Sequence, residues 1–186
     1  MEKACLAYVR HAFLLEQVTD NRYNERKIWR GSEAMEIEIS RLVLSELSDV
    51  KELIKKVFTT FEAPDYSEEG ITHFMTYLDE ELEKEVRANQ VQLWCGKVNQ
   101  KIVGVLAVRL PEHIALLFVD EAYHRQGIAK QMYQTMLLEL KPKKLTVNSS
   151  PYAVPAYEKL GFRLQGQEET VSGIRFQPMI AIREEV

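Results

Sequence analysis

Cysteine is scarce in this chain: Cys5 and Cys95 are the only two in 186 residues. They are too few and too far apart for a zinc site. A disulfide between them stays open, but no other feature points to an oxidising compartment. Glycine (8) and proline (6) are also sparse, which excludes a collagen-like repeat and a low-complexity chain. No apolar run is long enough to span a bilayer. The nearest imitation of a signal sequence, Ala4 to Leu15, is interrupted by Arg10 and His11 and lacks a clear cleavage site. Neither sign of charge dominates. Lys plus Arg is 24 and Asp plus Glu is 28, a net charge of −4, which disfavours a general nucleic-acid binder. The expectation is a cytoplasmic protein with no nucleic-acid or membrane partner.

What is present is ordinary for one globular domain with a real core: 46% hydrophobic, 28% charged and 9% aromatic residues. The first 34 residues stand apart. They hold six basic and five acidic residues, leaving 18 basic and 23 acidic for the remainder. Leu6, Tyr8, Val9, Phe13, Leu14 and Val18 fit a helix with a broad apolar side, and Asp20 to Gly31 is strongly polar. Met35 opens a clean alternating segment. Two readings follow: a genuine N-terminal helix, or an upstream extension before a natural start at Met35. The second is favoured, giving residues 1–34 as an extension and 35–186 as the working domain.

Periodicity places elements along that domain. Glu36 to Val43 reads as a strand with Ile37 and Ile39 inward. Ser45 and Ser48 are candidate N-caps for a helix carrying Leu47, Val50, Ile54, Val57, Phe58 and Phe61 on one face. Ala63-Pro64-Asp65-Tyr66 breaks it, and Ser67 caps a second helix with Ile71, Phe74, Met75, Leu78 and Leu82 inward. Val91 to Cys95 and Ile102 to Val108 are strands, and Ile114 to Val119 reads as a strand buried on both faces. A helix from about Gln126 to Leu140 is stopped by Pro142. Leu145 to Asn148 is a strand, and Pro155 to Leu160 a short helix ended by Gly161. Phe162 to Glu168 and Ile174 to Ile182 form a closing hairpin across Ser172-Gly173. The order β-α-α-β-β-β-α-β-α-β-β predicts a mixed α/β (α+β) fold with helices on both faces of one sheet.

The stretch Leu117-Phe118-Val119-Asp120-Glu121-Ala122-Tyr123-His124-Arg125-Gln126-Gly127-Ile128-Ala129-Lys130 carries the chemistry. A strand ends, a polar loop turns, and a helix starts at a glycine. The first amides of a helix lack intrahelical partners, and with the positive end of the dipole they make an anion site. Gly127 admits close approach to the backbone, and Arg125 and Lys130 add positive charge. The chemistry is that of a phosphate or pyrophosphate; the bland alternative is a helix start that happens to be basic. It is neither a P-loop nor a dinucleotide fingerprint, because the required glycine spacing is absent.

A second stretch, Asn148-Ser149-Ser150 followed by Ala153, Ala156, Tyr157, Gly161 and Phe162, sharpens this. Together the two resemble the GCN5-related N-acetyltransferase (GNAT) superfamily. The first is similar to its acetyl-CoA motif, Arg/Gln-x-x-Gly-x-Gly/Ala, with His124 at the first position. The second is similar to its Asn-x-x-Ala…Tyr-x-x-x-Gly-Phe element. The resemblance covers about residues 36 to 182. It implies a mostly antiparallel sheet with splayed central strands and acetyl-CoA as co-substrate without a metal. Phe118 and Val119 would offer backbone to the pantetheine arm. Arg125, Gln126, Gly127, Ala129 and Lys130 would hold the pyrophosphate, and Asn148 belongs to the second motif beside the cofactor. It implies transfer of an acetyl group to a primary amine by direct attack in a ternary complex, with an oxyanion held by an amide near Val119. Tyr157 stands where the family carries a tyrosine acid for the leaving thiolate; the other reading is packing alone. A non-catalytic acyl-CoA-binding protein on the same fold, or a protein acetyltransferase, is the alternative. By analogy the C-terminal hairpin is a homodimer edge.

The general base is not legible; Glu112 and His113, at a strand start, are candidates alongside a water chain. Cys95, in an apolar strand, is expected to be an inert buried thiol. The connection between the first two helices covers the acceptor site in the family. Here Glu62, Asp65 and Tyr66 suit a cationic small-molecule amine; equally, Asp65 and Ser67 cap the second helix.

Overall fold

The computed structural model describes residues 25–30 and 33–183. Cys5 and the expected helix over Leu6 to Val18 lie outside the described residues. Within them one sheet runs β1 (Glu25–Arg30), β2 (Glu33–Arg41), β3 (Val91–Val98), β4 (Lys101–Arg109), β5 (His113–Val119), β6 (Lys144–Ser149), β9 (Ile174–Ile182), β7 (Arg163–Leu164), with β8 (Glu169–Val171) on β9. β1 falls inside the stretch set apart by composition and pairs antiparallel with β2, Glu25 opposite Glu38 and Arg30 opposite Glu33. No helix among the described residues is long and apolar enough to cross a membrane.

Helices cover both faces. α1 (Leu47–Phe61) and α2 (Glu68–Thr76) lie on one; α2 continues through a π turn at Tyr77–Glu81 into α3 (Leu82–Arg87). α4 (Ile128–Leu140) lies on the other. α5 (Val154–Lys159) follows β6. Two cores result. Ile37, Ile39, Trp94, Leu106, Ile128, Met132 and Met136 fill the α4 side. Val50, Ile54, Phe58, Leu78, Leu82, Leu93 and Val105 fill the other.

Three local expectations change. Neither Ser45 nor Ser48 caps α1. The chain enters through a 3₁₀ turn at Leu44–Glu46, and Glu46 Oε2 accepts from the Val43 N–H at 3.2 Å. The strand expected from Phe162 to Glu168 is cut to Arg163–Leu164, with Gly166 turning at φ +86°. β5 alternates between buried and half-buried residues and is not buried throughout. The cause is the sheet: β5 pairs parallel with β6 only at His113↔Thr146 and Ile114↔Val147, and beyond that the strands part. The expectations for Ser67 and Gly161 hold. Ser67 Oγ accepts from Gly70 N–H. Gly161, at φ +93°, closes a Schellman turn in which Phe162 N–H reaches Tyr157 O and Gly161 N–H reaches Glu158 O, both at 3.0 Å.

Candidate active site

The parting of β5 and β6 opens a cavity of about 240 Å³. Its walls include Ala115 to Phe118 from β5, Val147 to Ser150 from β6, Tyr157 from α5, and Glu62 and Tyr66 from the α1–α2 connection. His73, Phe74, Tyr77, Arg109 and His113 line it on another side.

Register decides which backbone faces the gap. Asp120 N–H donates to Val103 C=O at 2.8 Å. Phe118 stands opposite Val105 and Val119 opposite Gly104. The two-residue period of an antiparallel ladder therefore turns the amides of Phe118 and Leu116 towards β4, and those of Leu117 and Val119 towards the gap. Phe118 is thus not the expected backbone contact. Its amide belongs to the ladder and its side chain, 4% exposed, to the core under α1. Leu117, with Val119, is the residue whose amide turns to the gap. A bulge, with Val108 opposite Ile114 and Ala107 opposite Leu116, sets this phase.

The loop after β5 is pinned at Asp120 and leads into a helix start with free amides. Asp120 Oδ1 accepts from Ala122 N–H at 3.0 Å and Asp120 Oδ2 from Lys56 Nζ at 2.8 Å, tying the loop to α1. Burial pushes the Asp120 carboxyl up, but Lys56 and the Ala122 amide outweigh it and hold it below the usual range. Arg125 and Gly127 both adopt left-handed backbone, φ +60° and +81°. The first backbone bond of α4 runs from Gln131 N–H to Gly127 O at 2.9 Å, so the amides of Ile128, Ala129 and Lys130 have no helical acceptor. Side chains of Arg125 and Lys130 are exposed beside them.

Tyr157 and Glu62 both line the cavity. Tyr157 is 4% exposed, its ring edge-on to Phe162 at 5.4 Å. Burial first, then the charge of Glu62, holds its phenol well above the ordinary tyrosine range. Glu62 is the C-cap residue of α1. Burial pushes its carboxyl up to about 7; the Ser150 hydroxyl draws it partly back, and no cationic group contributes. Tyr66 is likewise held high by burial, then by Glu62 and Asp65.

The family model for an acetyltransferase (GNAT) domain matches residues 62–182. The chain belongs to the GNAT acetyltransferase family. It is similar to the uncharacterized N-acetyltransferase YafP of Escherichia coli (strain K12), 33% identical over 91 residues. That match spans 49% of this chain and 58% of YafP, little more than half of the relative. Two solved structures share the fold. A GCN5-related N-acetyltransferase from Rhodopseudomonas palustris matches with TM-score 0.69 at 19% identity over 82% of this chain and 100% of that one. The PaiA N-acetyltransferase of Thermoplasma acidophilum, solved with coenzyme A, matches with TM-score 0.64 at 18% identity over 79% and 99%.

In this GNAT protein the sequence-predicted residues fall into two groups. Tyr157, Glu62, Tyr66, Phe118 and Asn148 line the cavity. Arg125, Gln126, Gly127, Ala129 and Lys130 form the adjoining loop and helix start, following Val119. Asp65 lies exposed outside the cavity lining and is not the α2 cap, which Ser67 provides. Of the base candidates, Glu112 pairs with Lys144 at 2.8 Å and His113 Nδ1 lies 2.9 Å from Thr146 Oγ1. Burial, then Arg109, lowers the His113 pKa. Burial, then Glu46, pushes the Cys95 thiol up to about 12, leaving it inert.

Sequence reasoning missed the bond of His124 to the strand end and the half-buried setting of Glu62. His124 Nε2 bonds Val119 O at 2.8 Å, and its ring leans on Phe61 at 5.4 Å. The departure from Arg or Gln at that motif position was the available signal. For Glu62 the signal was weaker: an acid directly after an apolar helix face.

Proposed function

We propose that this protein transfers the acetyl group of acetyl-CoA to a primary amine of a small molecule, by direct attack in a ternary complex. The observation that carries the reading is the split between β5 and β6, with gap-facing backbone on one side and Tyr157 and Glu62 on the other. The residues present fit acetyl-CoA. Unpaired amides at the start of α4, with Arg125 and Lys130, suit its pyrophosphate. The amides and carbonyls of Leu117 and Val119 suit the polar groups of its pantetheine arm, except that His124 occupies the Val119 carbonyl.

The acceptor arrives as an ammonium, with the Glu62 carboxylate as its counter-ion. Glu62 takes its proton, and the freed amine attacks the thioester carbonyl. A gap-facing amide near Val119 steadies the oxyanion. The C–S bond then breaks as the Tyr157 phenol protonates the leaving thiolate, and the proton that attack left on the new amide nitrogen returns to the Tyr157 phenolate.

The test is calorimetric CoA binding together with thiol release from acetyl-CoA over a panel of polyamines, amino acids and aminoglycosides. CoA binds, and Tyr157→Phe lowers kcat by about 100-fold or more while the CoA Kd stays within about twofold. Failure of the unmodified protein to bind CoA overturns the reading. Binding without transfer to any acceptor favours an acyl-CoA-binding protein, and equal rates for Tyr157→Phe remove the acid role.

A further inference from the structure

The end of the cavity at the start of β5 carries a polar cluster that the transfer steps leave unused. Arg109 on β4 stands opposite His113 on β5, so both side chains leave the same face of the sheet. Tyr77 comes from the π turn between α2 and α3, in which Leu82 N–H bonds Tyr77 C=O. Tyr77 and Glu85 lie 8 residues apart. On a regular α-helix that spacing sets side chains about 80° apart; the extra residue of the π turn cuts this to about 20°. The turn thus brings the two onto one face, where Tyr77 Oη donates to Glu85 Oε2 at 2.8 Å. Tyr77, Arg109 and His113 all line the cavity.

Donors, not acceptors, are what this end has left for a ligand. Glu85 Oε1 accepts from Arg109 Nε at 3.2 Å and from Nη2 at 3.1 Å, and Oε2 accepts from Nη2 at 2.9 Å besides Tyr77, so the carboxylate is filled. Tyr77 Oη also accepts from Arg109 Nη2 at 3.3 Å. The Nη1 donors of Arg109 hold no hydrogen bond among the described residues. His113 has Nδ1 on Thr146 Oγ1, which leaves Nε2. The open positions therefore belong to a planar cation, held in place by its own carboxylate partner. At the opposite end of the cavity stands Glu62, an acceptor for an ammonium. From His113 to Leu117 the strand rises roughly 3.3 Å per residue, so the two ends lie about 13 Å apart before the reach of the arginine is taken off.

We infer that the Arg109 end of the cavity is a carboxylate subsite, and that the acceptor is an amino acid whose reactive amine and carboxylate stand several carbons apart. The inference rests on the acetyl-transfer reading above and names the acceptor class for that site. The carboxylate lies against Arg109 Nη1 while the ammonium lies against Glu62. An α-amino group, one carbon from its carboxylate, is too close to it to span the two. Glu68, Glu69 and Glu81 line a surface groove that shares His73 and Tyr77 with the cavity, so a diamine is the competing acceptor.

The test uses the full-length protein, acetyl-CoA and acceptors of similar length: 6-aminohexanoate, 6-aminohexanamide, hexylamine and 1,5-diaminopentane. 6-Aminohexanoate exceeds the other three in kcat/KM by at least about tenfold, as a charge-assisted arginine contact requires. Arg109→Gln brings the acid down to the level of its amide or below, while the CoA Kd stays within about twofold. Equal use of the acid and its amide by the unmodified protein overturns the subsite, as does a diamine used best, or a preference for the acid that survives Arg109→Gln. If Arg109→Gln fails to fold, Arg109→Lys keeps the charge but loses the planar fork, and must cut the preference by at least about threefold. Binding separates the subsite from the transfer reading. 6-Aminohexanoate is titrated into the protein in the presence of CoA, and the His113 ring signals are followed by NMR. A saturable shift that hexylamine does not give supports the subsite even if no amine is acetylated; no such shift overturns it whatever the activity.

Discussion

Glu62 shows how the acidity of one residue is set by its surroundings. An exposed glutamate has a pKa near 4.5, but burial carries this one up to about 7. Between those values the folded state binds the extra proton, so stability from this group falls as pH rises through that window and levels off above it. Glu62→Gln removes the buried charge. The variant is expected to gain up to about 3 kcal/mol of unfolding free energy at pH 8, about 1 kcal/mol at pH 5 and next to nothing below about pH 4, measured by urea denaturation. If Glu62 is the base, kcat is expected to rise through about pH 7 and the same change to flatten that rise. A variant whose pH–rate profile keeps that limb shows that another group is the base. Tyr157 was legible as a motif residue; its full burial and the opposing carboxylate were not, because both depend on elements from distant parts of the chain.

At the scale of elements, the start of α4 and the end of β5 act together. The helix start was readable from the sequence because Gly127, Arg125 and Lys130 lie within six residues. At Gly127, φ +81° is a conformation that a side chain resists, and the nearest atom to an added Cβ is Gln131 Nε2 at 3.9 Å. Gly127→Glu places both a strained backbone and a negative charge at the anion site. It is expected to weaken CoA binding by at least about tenfold in calorimetry, more at low salt than at high salt. Retained affinity would move the pyrophosphate elsewhere. The phase of β5 was not legible. Phe118 and Val119 look alike in sequence, and only the ladder to β4, with its bulge, decides which one turns its amide to the gap. The same holds for Ser45 and Ser48, good caps by type that lose to a 3₁₀ turn closed by Glu46.

In the whole molecule, β4 joins the two cores. Val103, Leu106 and Val108 face α4, while Ile102, Val105 and Ala107 face α1. One strand shared by both sides implies one cooperative unit. Leu106 is fully buried. Leu106→Ala is expected to cost about 3 kcal/mol, with coincident urea transitions by circular dichroism and tryptophan fluorescence. Separate transitions would show that the two faces unfold independently. The parted strands weaken this body at one place, and α4, α5 and the α1–α2 connection converge there.

The sequence by itself determined what local chemistry decides: most elements, the helix caps at Ser67 and Gly161, the basic glycine start of α4, and the two motifs that mark the family. These depend on neighbours within a few residues, where periodicity and backbone preference act. Only the tertiary structure decided the separation of β5 from β6, the phase of β5, the pairing of β1 with β2, the placing of Glu62 and Tyr157 on one cavity, and the contact of Arg109 with Glu85. Each is set by long-range pairing and packing. Glu62 and Tyr157 are distant in sequence, and only the packing of the α1–α2 connection and α5 about the parted strands brings them to one cavity.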